Sequence, residues 1–356
     1  MENAPSNLGT VLVFGGGGFL GAVAVEKLLE TKCWTSIVVA SRNPKQHLPN
    51  VSYRKVDICD EKSVQALIDD VKPRLVIHLV SPHYNAEPKL LYDCNVKGTA
   101  NFIKACQESP HVNALLYTSS NRVISNRPPA ILTEDQITLF TESSNTHAYC
   151  KTKAIADRMV LDANGPSLKT AILRVPIVYG GRDQHMEIVM DFLDNGQQKI
   201  QLGDNKAFFE IVGVDNAAHA HVLASKALLA APASPEKNIA GHAFSITDGN
   251  PMHWYDFARK VWAEAGDKTK LEDVKVVPFW LLSFVAVSWE WTLWLCTFGM
   301  MRATEFNWYN INTLKEGNCV LDISKGERML GYSPIVSTEE GIRRATKRAL
   351  SERKKA

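Results

Sequence analysis

Apolar runs of strand length alternate with amphipathic segments through the first half of the chain. Val11-Leu12-Val13-Phe14 leads into Gly15-Gly16-Gly17-Gly18, then an amphipathic stretch from Phe19 to Glu30, then a second apolar run, Ser36-Ile37-Val38-Val39-Ala40. The spacing predicts strand, turn, helix, strand. The alternation continues with strands over 51–56, 75–79 and 114–118 and helices over 61–71 and 88–106. A strand–helix alternation of this length predicts an α/β fold with a parallel sheet. After residue 183 the pattern shortens: a helix over 184–195, strands over 199–202 and 207–212, a helix over 215–229, a strand over 242–247 and a helix over 252–265.

The expected architecture is a Rossmann-type doubly wound parallel sheet. Residues 1–182 would form mainly the dinucleotide-binding domain and residues 183–356 a smaller substrate-binding or lid region, with helix 215–229 returning to the core. Gly15, Gly18 and Gly21 form GxxGxxG, where the first permits the tight turn, the second lets backbone approach a pyrophosphate and the third packs helix on strand. Phe19 opens the helix whose free N–H groups and dipole favour an anion. Ligands in such sheets bind beyond the carboxyl ends of the strands, which selects the loops at 15–18, 40–42, 57–58, 80–82 and 119–120. Dinucleotide sites for NAD usually carry an acidic residue at the end of the second strand, and here Ser41-Arg42 stands there. A serine with a forked cationic donor suits a 2′-phosphate, so the cofactor reading is NAD(P) with a lean to NADP. Asp57, followed by Ile58, has two readings: an acceptor for the adenine amino group, or a turn or helix-capping residue. Val80 closes the fourth strand beside the same groove.

Tyr149 and Lys153 stand four residues apart on a helical segment, hence on one face. An ammonium beside a phenol would lower the phenol's pKa and let Tyr149 act as base on an alcohol or acid on a carbonyl. Ser120, at the end of the fifth strand, would hold the substrate oxygen against Tyr149.

Composition narrows the function classes. The 356 residues are 45% hydrophobic and 22% charged with a formal net charge of +2, which favours a globular chain and gives no electrostatic case for nucleic acid. Seven scattered cysteines form no CxxC pair, no metal site is predicted, and residues 1–9 lack signal-peptide character, so reduced thiols and an intracellular chain are expected. Between Lys275 and Arg302 the only charged residue is Glu290, among Trp280, Phe284, Trp289, Trp291, Trp294 and Phe298. Two readings stand equal for 276–301: membrane surface contact, or a buried wall around an apolar substrate. The basic end, Arg343 to Lys355, reads as a solvated helix or as an attraction to an anionic membrane.

With these pieces in place the chain resembles the extended short-chain dehydrogenase/reductase family, within it the 3β-hydroxysteroid dehydrogenase group and especially sterol-4α-carboxylate 3-dehydrogenases. The resemblance is carried by Gly15–Gly21, Asp57-Ile58, Asn95-Val96-Lys97-Gly98-Thr99-Ala100-Asn101, Tyr117–Ser120, Tyr149–Lys153, Leu173–Gly180, Gly180-Gly181-Arg182-Asp183, Val214–His221 and Asp322–Pro334. It implies Tyr149 as acid/base, Lys153 as its partner and a ligand of the nicotinamide ribose, and Ser120 as the hydroxyl that orients the substrate oxygen. It places Pro176 beside the nicotinamide, one residue later than usual, and gives Asn95 a structural or proton-relay role. Phe14 stands where the family usually has Thr, and 127–129 with 133–135 form a divergent loop expected over the active site. The implied activity is oxidation of a secondary, 3β-type hydroxyl of a sterol, triterpenoid or related terpenoid, with loss of an adjacent carboxylate as carbon dioxide. The rival readings are a carbonyl reductase of the dihydroflavonol type and a non-catalytic NADP-sensing regulator. The expected partner is an apolar small molecule, at the cytoplasm or the surface of the endoplasmic reticulum, with the oligomeric state open and a homodimer admitted.

Overall fold

The computed structural model describes residues 7–354 except 47, 127–130, 182, 302, 304–306, 309–310, 313–314 and 316–318. Arg182 and the 127–129 part of the expected loop therefore lie outside the described residues. The chain forms two compact units, one built from the chain up to Val178, Val212–Gly249 and Leu321–Ser337, the other from Tyr179–Ile211, Asn250–Val320 and the chain from Thr338 onward.

The first unit holds a seven-stranded sheet. Its strands are β1 (Thr10–Phe14), β2 (Ser36–Ser41), β3 (Val51–Lys55), β4 (Leu75–His78), β5 (Ala114–Ser120), β6 (Lys169–Val175) and the strand His242–Ser245. Their spatial order is His242–Ser245, β6, β5, β4, β1, β2, β3, all parallel. The helices are α1 (Phe19–Glu30), α2 (Glu61–Val71), α3 (Pro88–Tyr92), α4 (Gly98–Glu108) and α5 (Ala148–Asp162), followed by the helix Val214–Leu229. The apolar runs are continuous because both sheet faces are covered. Val11, Val13, Val39, Ile77 and Leu116 pack with Val25 and Leu28 of α1 and with Val222 and Leu228; Leu12, Phe14, Val76 and Leu115 pack with Ile68, Phe102 and Val160 on the other face. Phe14, the departure noted above, meets Phe102 edge-on with centroids 4.3 Å apart.

Buried His221 fastens the helix Val214–Leu229 to β5. Its Nδ1 lies 2.7 Å from the Ala217 carbonyl, which can only accept, so Nδ1 carries the proton and Nε2 accepts from Thr118 Oγ1 at 2.8 Å. Burial holds this imidazole down to about 4, hence neutral.

One local outcome differs from the sequence pattern. The helix predicted over 88–106 is interrupted by a π-helical turn, Asp93–Lys97, between α3 and α4. Such insertions re-aim side chains at a cost in helical geometry, and this one turns buried Asn95 to bond Ser81 and Thr152, partners that a hydrophobic pattern does not register. Thr133–Asp135 is tied to the sheet: Glu134 Oε1 accepts from the Ser245 amide at 2.8 Å. The basic terminal helix, Thr338–Arg353, forms with its arginines in exposed ion pairs, within the helix and to the helix Gln184–Asp194. Glu340 takes Arg343 and Arg344, and Arg353 pairs with Asp191 and Asp194.

In the second unit Asp183 caps the helix Gln184–Asp194, its carboxylate accepting from the amides of Met186, Gly180 and Gly181 at 2.8–3.0 Å. Trp262, in the helix Trp254–Glu264, is buried and donates to the Val189 carbonyl at 2.7 Å. The apolar helix spans Phe279–Cys296. Only Leu282 and Ala286 of it are buried, against Ile311, while Phe279 seats over Gly203, where any side chain would collide with its ring. The rest is uncovered: Trp280 is 71% exposed and Phe284 67%, with Phe298 just beyond at 92%. The helix is not a buried wall, because its apolar side chains point all round the axis and two of them suffice to dock it.

Candidate active site

The glycine turn follows from backbone geometry. Gly15 sits at φ +82°, in the left-handed region, and its amide donates to the Ala40 carbonyl at 3.0 Å, joining the ends of β1 and β2. A Cβ on Gly21 would lie 2.1 Å from the Gly15 carbonyl oxygen, so helix and turn can meet this closely only with glycine there. Gly17 and Gly18 are exposed, and Gly18 caps α1 without a side chain. Phe19 begins that helix, whose first-turn N–H groups have no acceptor within it.

Around this turn lie the other groove residues named from the sequence. Val80 packs against Gly15. Ser41 ends β2, and Arg42 follows it, exposed and in no ion pair with a carboxylate among the described residues. Asp57 is a turn residue: its Oδ1 accepts from the Cys59 amide at 3.0 Å, while Asp60 caps α2. Ile58 is buried; its carbonyl accepts from Asn101 Nδ2 at 2.9 Å, and Gly98 lies close beneath its side chain. Pro176 lies buried just beyond β6.

The second cluster forms where α5 crosses the ends of β4 and β5. Tyr149 stands near Ser120 and Ser81; burial raises its pKa above the usual phenol value, against the opposing pull of those hydroxyls and of the Arg122 charge. Ser81 Oγ donates to Asn95 Oδ1 at 3.0 Å, and Asn95 Nδ2 donates to Thr152 Oγ1 at 3.1 Å. This ties the end of β4, the π-helical turn and α5 into one buried network. Beneath it, His78 Nδ1 accepts from the Val80 amide at 3.2 Å, which fixes the proton on Nε2, directed at Thr99 Oγ1 3.2 Å away. Burial, with the nearby Lys153 charge, keeps this imidazole neutral.

Lys153 lies on the face that spacing predicts, but its partner is different. Its Nζ donates to the Tyr117 hydroxyl and the Thr118 carbonyl, both at 2.7 Å, because β5 offers two acceptors in place there. Tyr149 is thus raised rather than lowered, and Lys153 is not what holds it. Burial brings Lys153 down to about 7, the Asp157 carboxylate one turn along opposing the fall. Asp157 is itself fully buried and paired with Arg174 of β6 through bonds of 2.9 and 2.7 Å.

An aromatic wall completes the cluster. Tyr84 stacks on His147 with centroids 4.1 Å apart and 9° between planes, and its ring lies 5.1 Å from that of Tyr149. His147 Nδ1 accepts from the Tyr149 amide at 3.2 Å and so caps α5.

Sequence comparison decides the family. The sequence profile of the 3-beta hydroxysteroid dehydrogenase/isomerase family matches residues 12–276. The chain belongs to that family. It is 36% identical over 296 residues to the decarboxylating sterol-4-alpha-carboxylate 3-dehydrogenase of Schizosaccharomyces pombe, covering 81% of each chain. It is 29% identical to that of Saccharomyces cerevisiae, over 95% of this chain and 97% of the relative. Short-chain dehydrogenase/reductase family 42E member 1 of Macaca fascicularis is 30% identical over 73% of this chain and 68% of its own. The fold is shared with the Thermus thermophilus UDP-glucose 4-epimerase in complex with NAD, at TM-score 0.69 and 20% identity, over 96% of this chain and 99% of that one. It is also shared with gox2253, at TM-score 0.76 and 20% identity, over 96% and 98%.

This member of the 3-beta hydroxysteroid dehydrogenase/isomerase family is therefore an oxidoreductase of the short-chain dehydrogenase/reductase type. Ser120, Tyr149 and Lys153 come together in one cluster; Gly15, Gly18, Phe19, Gly21 and Val80 gather at the turn, with Ser41 and Arg42 beyond β2 and Asp57 and Ile58 beyond β3. Sequence reading missed Ser81, Tyr84, His147 and Arg122 as members of the site. The rule that ligands bind at strand ends already selected 80–82, so a hydroxyl there was the available signal for Ser81. Tyr84, His147 and Arg122 carry no local signal, since only the packing of three loops brings them to Tyr149.

Proposed function

We propose that the protein is an NAD(P)-dependent dehydrogenase that oxidises the 3β-type hydroxyl of a sterol or related triterpenoid bearing a carboxylate on the neighbouring carbon, which then departs as carbon dioxide. The observation that carries the reading is that Tyr149, Ser120, Ser81 and the Lys153 face of α5 gather at the ends of β4 and β5, in a chain whose relatives are decarboxylating sterol-4-alpha-carboxylate 3-dehydrogenases.

The residues present fit a dinucleotide. A side chain on Gly21 would collide with the turn, Gly17 faces open space, and the N-terminus of α1 is free to meet a diphosphate. Bound there, a nicotinamide cofactor supplies the acceptor for the hydride of the carbinol carbon. Ser120 orients the substrate oxygen, and Tyr149, once its phenol has given up its own proton to solvent, takes the hydroxyl proton as the phenolate. Ser81, Asn95 and Thr152 tie down α5, the helix that carries Tyr149, and Lys153 holds Tyr117 and Thr118; the family resemblance gives Lys153 the nicotinamide ribose as a further ligand. In the β-keto acid so formed, the bond to the carboxylate carbon breaks, its electron pair passes to the ketone oxygen, and Tyr149 returns the proton to that oxygen; the resulting enol becomes the ketone as the carbon that lost carbon dioxide takes a proton from water and the enol oxygen releases its own. Arg42, exposed beyond β2 and without a carboxylate partner among the described residues, supports a preference for NADP. The uncovered helix Phe279–Cys296 supports contact with a membrane surface, from which an apolar substrate would be drawn.

The test is turnover of 3β-hydroxysterols with and without a 4-carboxyl group, each with NAD and with NADP. Ketone formation with carbon dioxide release from the acid, at a lower KM for NADP, is the expected result. Ketone without carbon dioxide removes the decarboxylating part, and equal KM values remove the NADP preference.

A further inference from the structure

We propose that Arg122 is the substrate-side anion receptor, selecting a carboxylate carried on the carbon next to the oxidised carbinol. The inference rests on the functional reading above and names the residue that would read the acid. Arg122 is two residues beyond Ser120, and its amide donates to Ser120 Oγ at 3.2 Å. The hydroxyl that faces Tyr149 thus also fixes the short turn, Asn121–Val123, from which Arg122 projects. Its guanidinium carbon lies 5.4 Å from the Tyr84 ring centroid, and Tyr84 lies against Tyr149. Its charge is felt at both Tyr149 and His147.

Among the described residues no Asp or Glu forms an ion pair with Arg122, which is half-buried. The phenol and the neutral imidazole beside it are not anions. A partly desolvated guanidinium without a counter-charge is a costly arrangement, and one relieved when a ligand brings the charge. Its planar fork of donors matches a carboxylate in two parallel hydrogen bonds. A substrate with hydroxyl and carboxylate on adjacent carbons needs two receptors at one site, and Ser120 and Arg122 leave the same short turn, with the guanidinium over Tyr84, the ring that lies against Tyr149. The dinucleotide diphosphate has its own receptor at the glycine turn. Holding the group as an anion through oxidation also clears the site afterwards, because carbon dioxide and a neutral ketone no longer engage Arg122.

The experiment measures kcat and KM for a 4-carboxy-3β-hydroxysterol and for the same sterol lacking the carboxyl, in the wild type, Arg122→Gln and Arg122→Lys, with cofactor binding as the check that each variant folds. For Arg122→Gln, kcat/KM on the acid is expected to fall roughly 10- to 100-fold, mostly through KM, the range of a hydrogen bond to a charged group. The neutral sterol is expected to fall by much less, through the Arg122 charge at Tyr149 alone, and Arg122→Lys to recover part of the loss on the acid. An equal fall on both sterols, or none on the acid, overturns the assignment of Arg122 while leaving the functional reading in place. A wild type that binds cofactor but turns over neither sterol overturns the functional reading, and the Arg122 assignment with it.

Discussion

Two regions of this molecule invert the usual rule of burial, in opposite directions. Around Tyr149 the chain buries groups that ordinarily face water: His78, Asn95, Lys153, Asp157 and Arg174 are each less than 5% exposed. Along Phe279–Cys296 it leaves in water what is ordinarily buried, four tryptophans and Phe284 that are 45–71% exposed. The first inversion is answered inside the chain, since Lys153 has two acceptors, Asp157 has Arg174, and Asn95 bridges Ser81 and Thr152. The second is unanswered among the described residues. Internal compensation makes a group expensive to remove, whereas exposed side chains add almost nothing to folding and owe their place to something else.

The comparison can be broken most forcefully at Asp157. Asp157→Ala leaves Arg174 charged and buried without a partner, and a loss of about 3–5 kcal/mol in unfolding free energy is expected, read from denaturant midpoints. A loss within about 0.5 kcal/mol, the level of an ordinary surface change, would place the pair outside the structural core.

A smaller effect, in pH dependence, is expected at Lys153. Burial lowers its pKa to about 7, whereas an unfolded lysine titrates near about 10.4. Between these values the unfolded chain holds a proton that the folded chain has released, so this group makes stability rise as pH increases through that window. Lys153→Met should lack that part of the rise, as measured by wild-type and variant unfolding side by side from neutral to alkaline pH. Parallel curves would mean that Lys153 is charged in the folded chain throughout.

The smallest change in stability belongs to the other region. Trp280→Ser with Phe284→Ser is expected to alter unfolding free energy by no more than about 0.5 kcal/mol, as surface positions do, while reducing co-sedimentation with phospholipid vesicles. Unchanged sedimentation would remove the membrane surface as the reason for this exposure, and a large destabilisation would put these side chains in the core after all.

How much of this was legible in the sequence follows from the range over which each feature is determined. The glycine turn, the strands and the Tyr149–Lys153 spacing are local, and the pattern carries them. Ser120 was legible because it ends an apolar run. The partners of Lys153 were not, since the Tyr117 hydroxyl and the Thr118 carbonyl reach it only through the way α5 lies across β5. The strand His242–Ser245 pairs with β6, distant in sequence, so linear order alone counted it with the second half. Ser81, Tyr84 and Arg122 belong to separate loops and meet only in the folded unit. For Phe279–Cys296 the pattern left two readings open, because a helix apolar on every side gives no polar face to mark what lies outside it.

The central claim is that Tyr149 performs the proton transfer and does little else. The most direct measurement compares Tyr149→Phe with the wild type for cofactor affinity and for turnover of the 4-carboxy-3β-hydroxysterol in the same preparations. The account predicts cofactor affinity nearly unchanged and turnover lower by a factor of about 10² or more, the usual loss when an acid–base group is removed. A variant that binds cofactor and still turns over at the wild-type rate would contradict it.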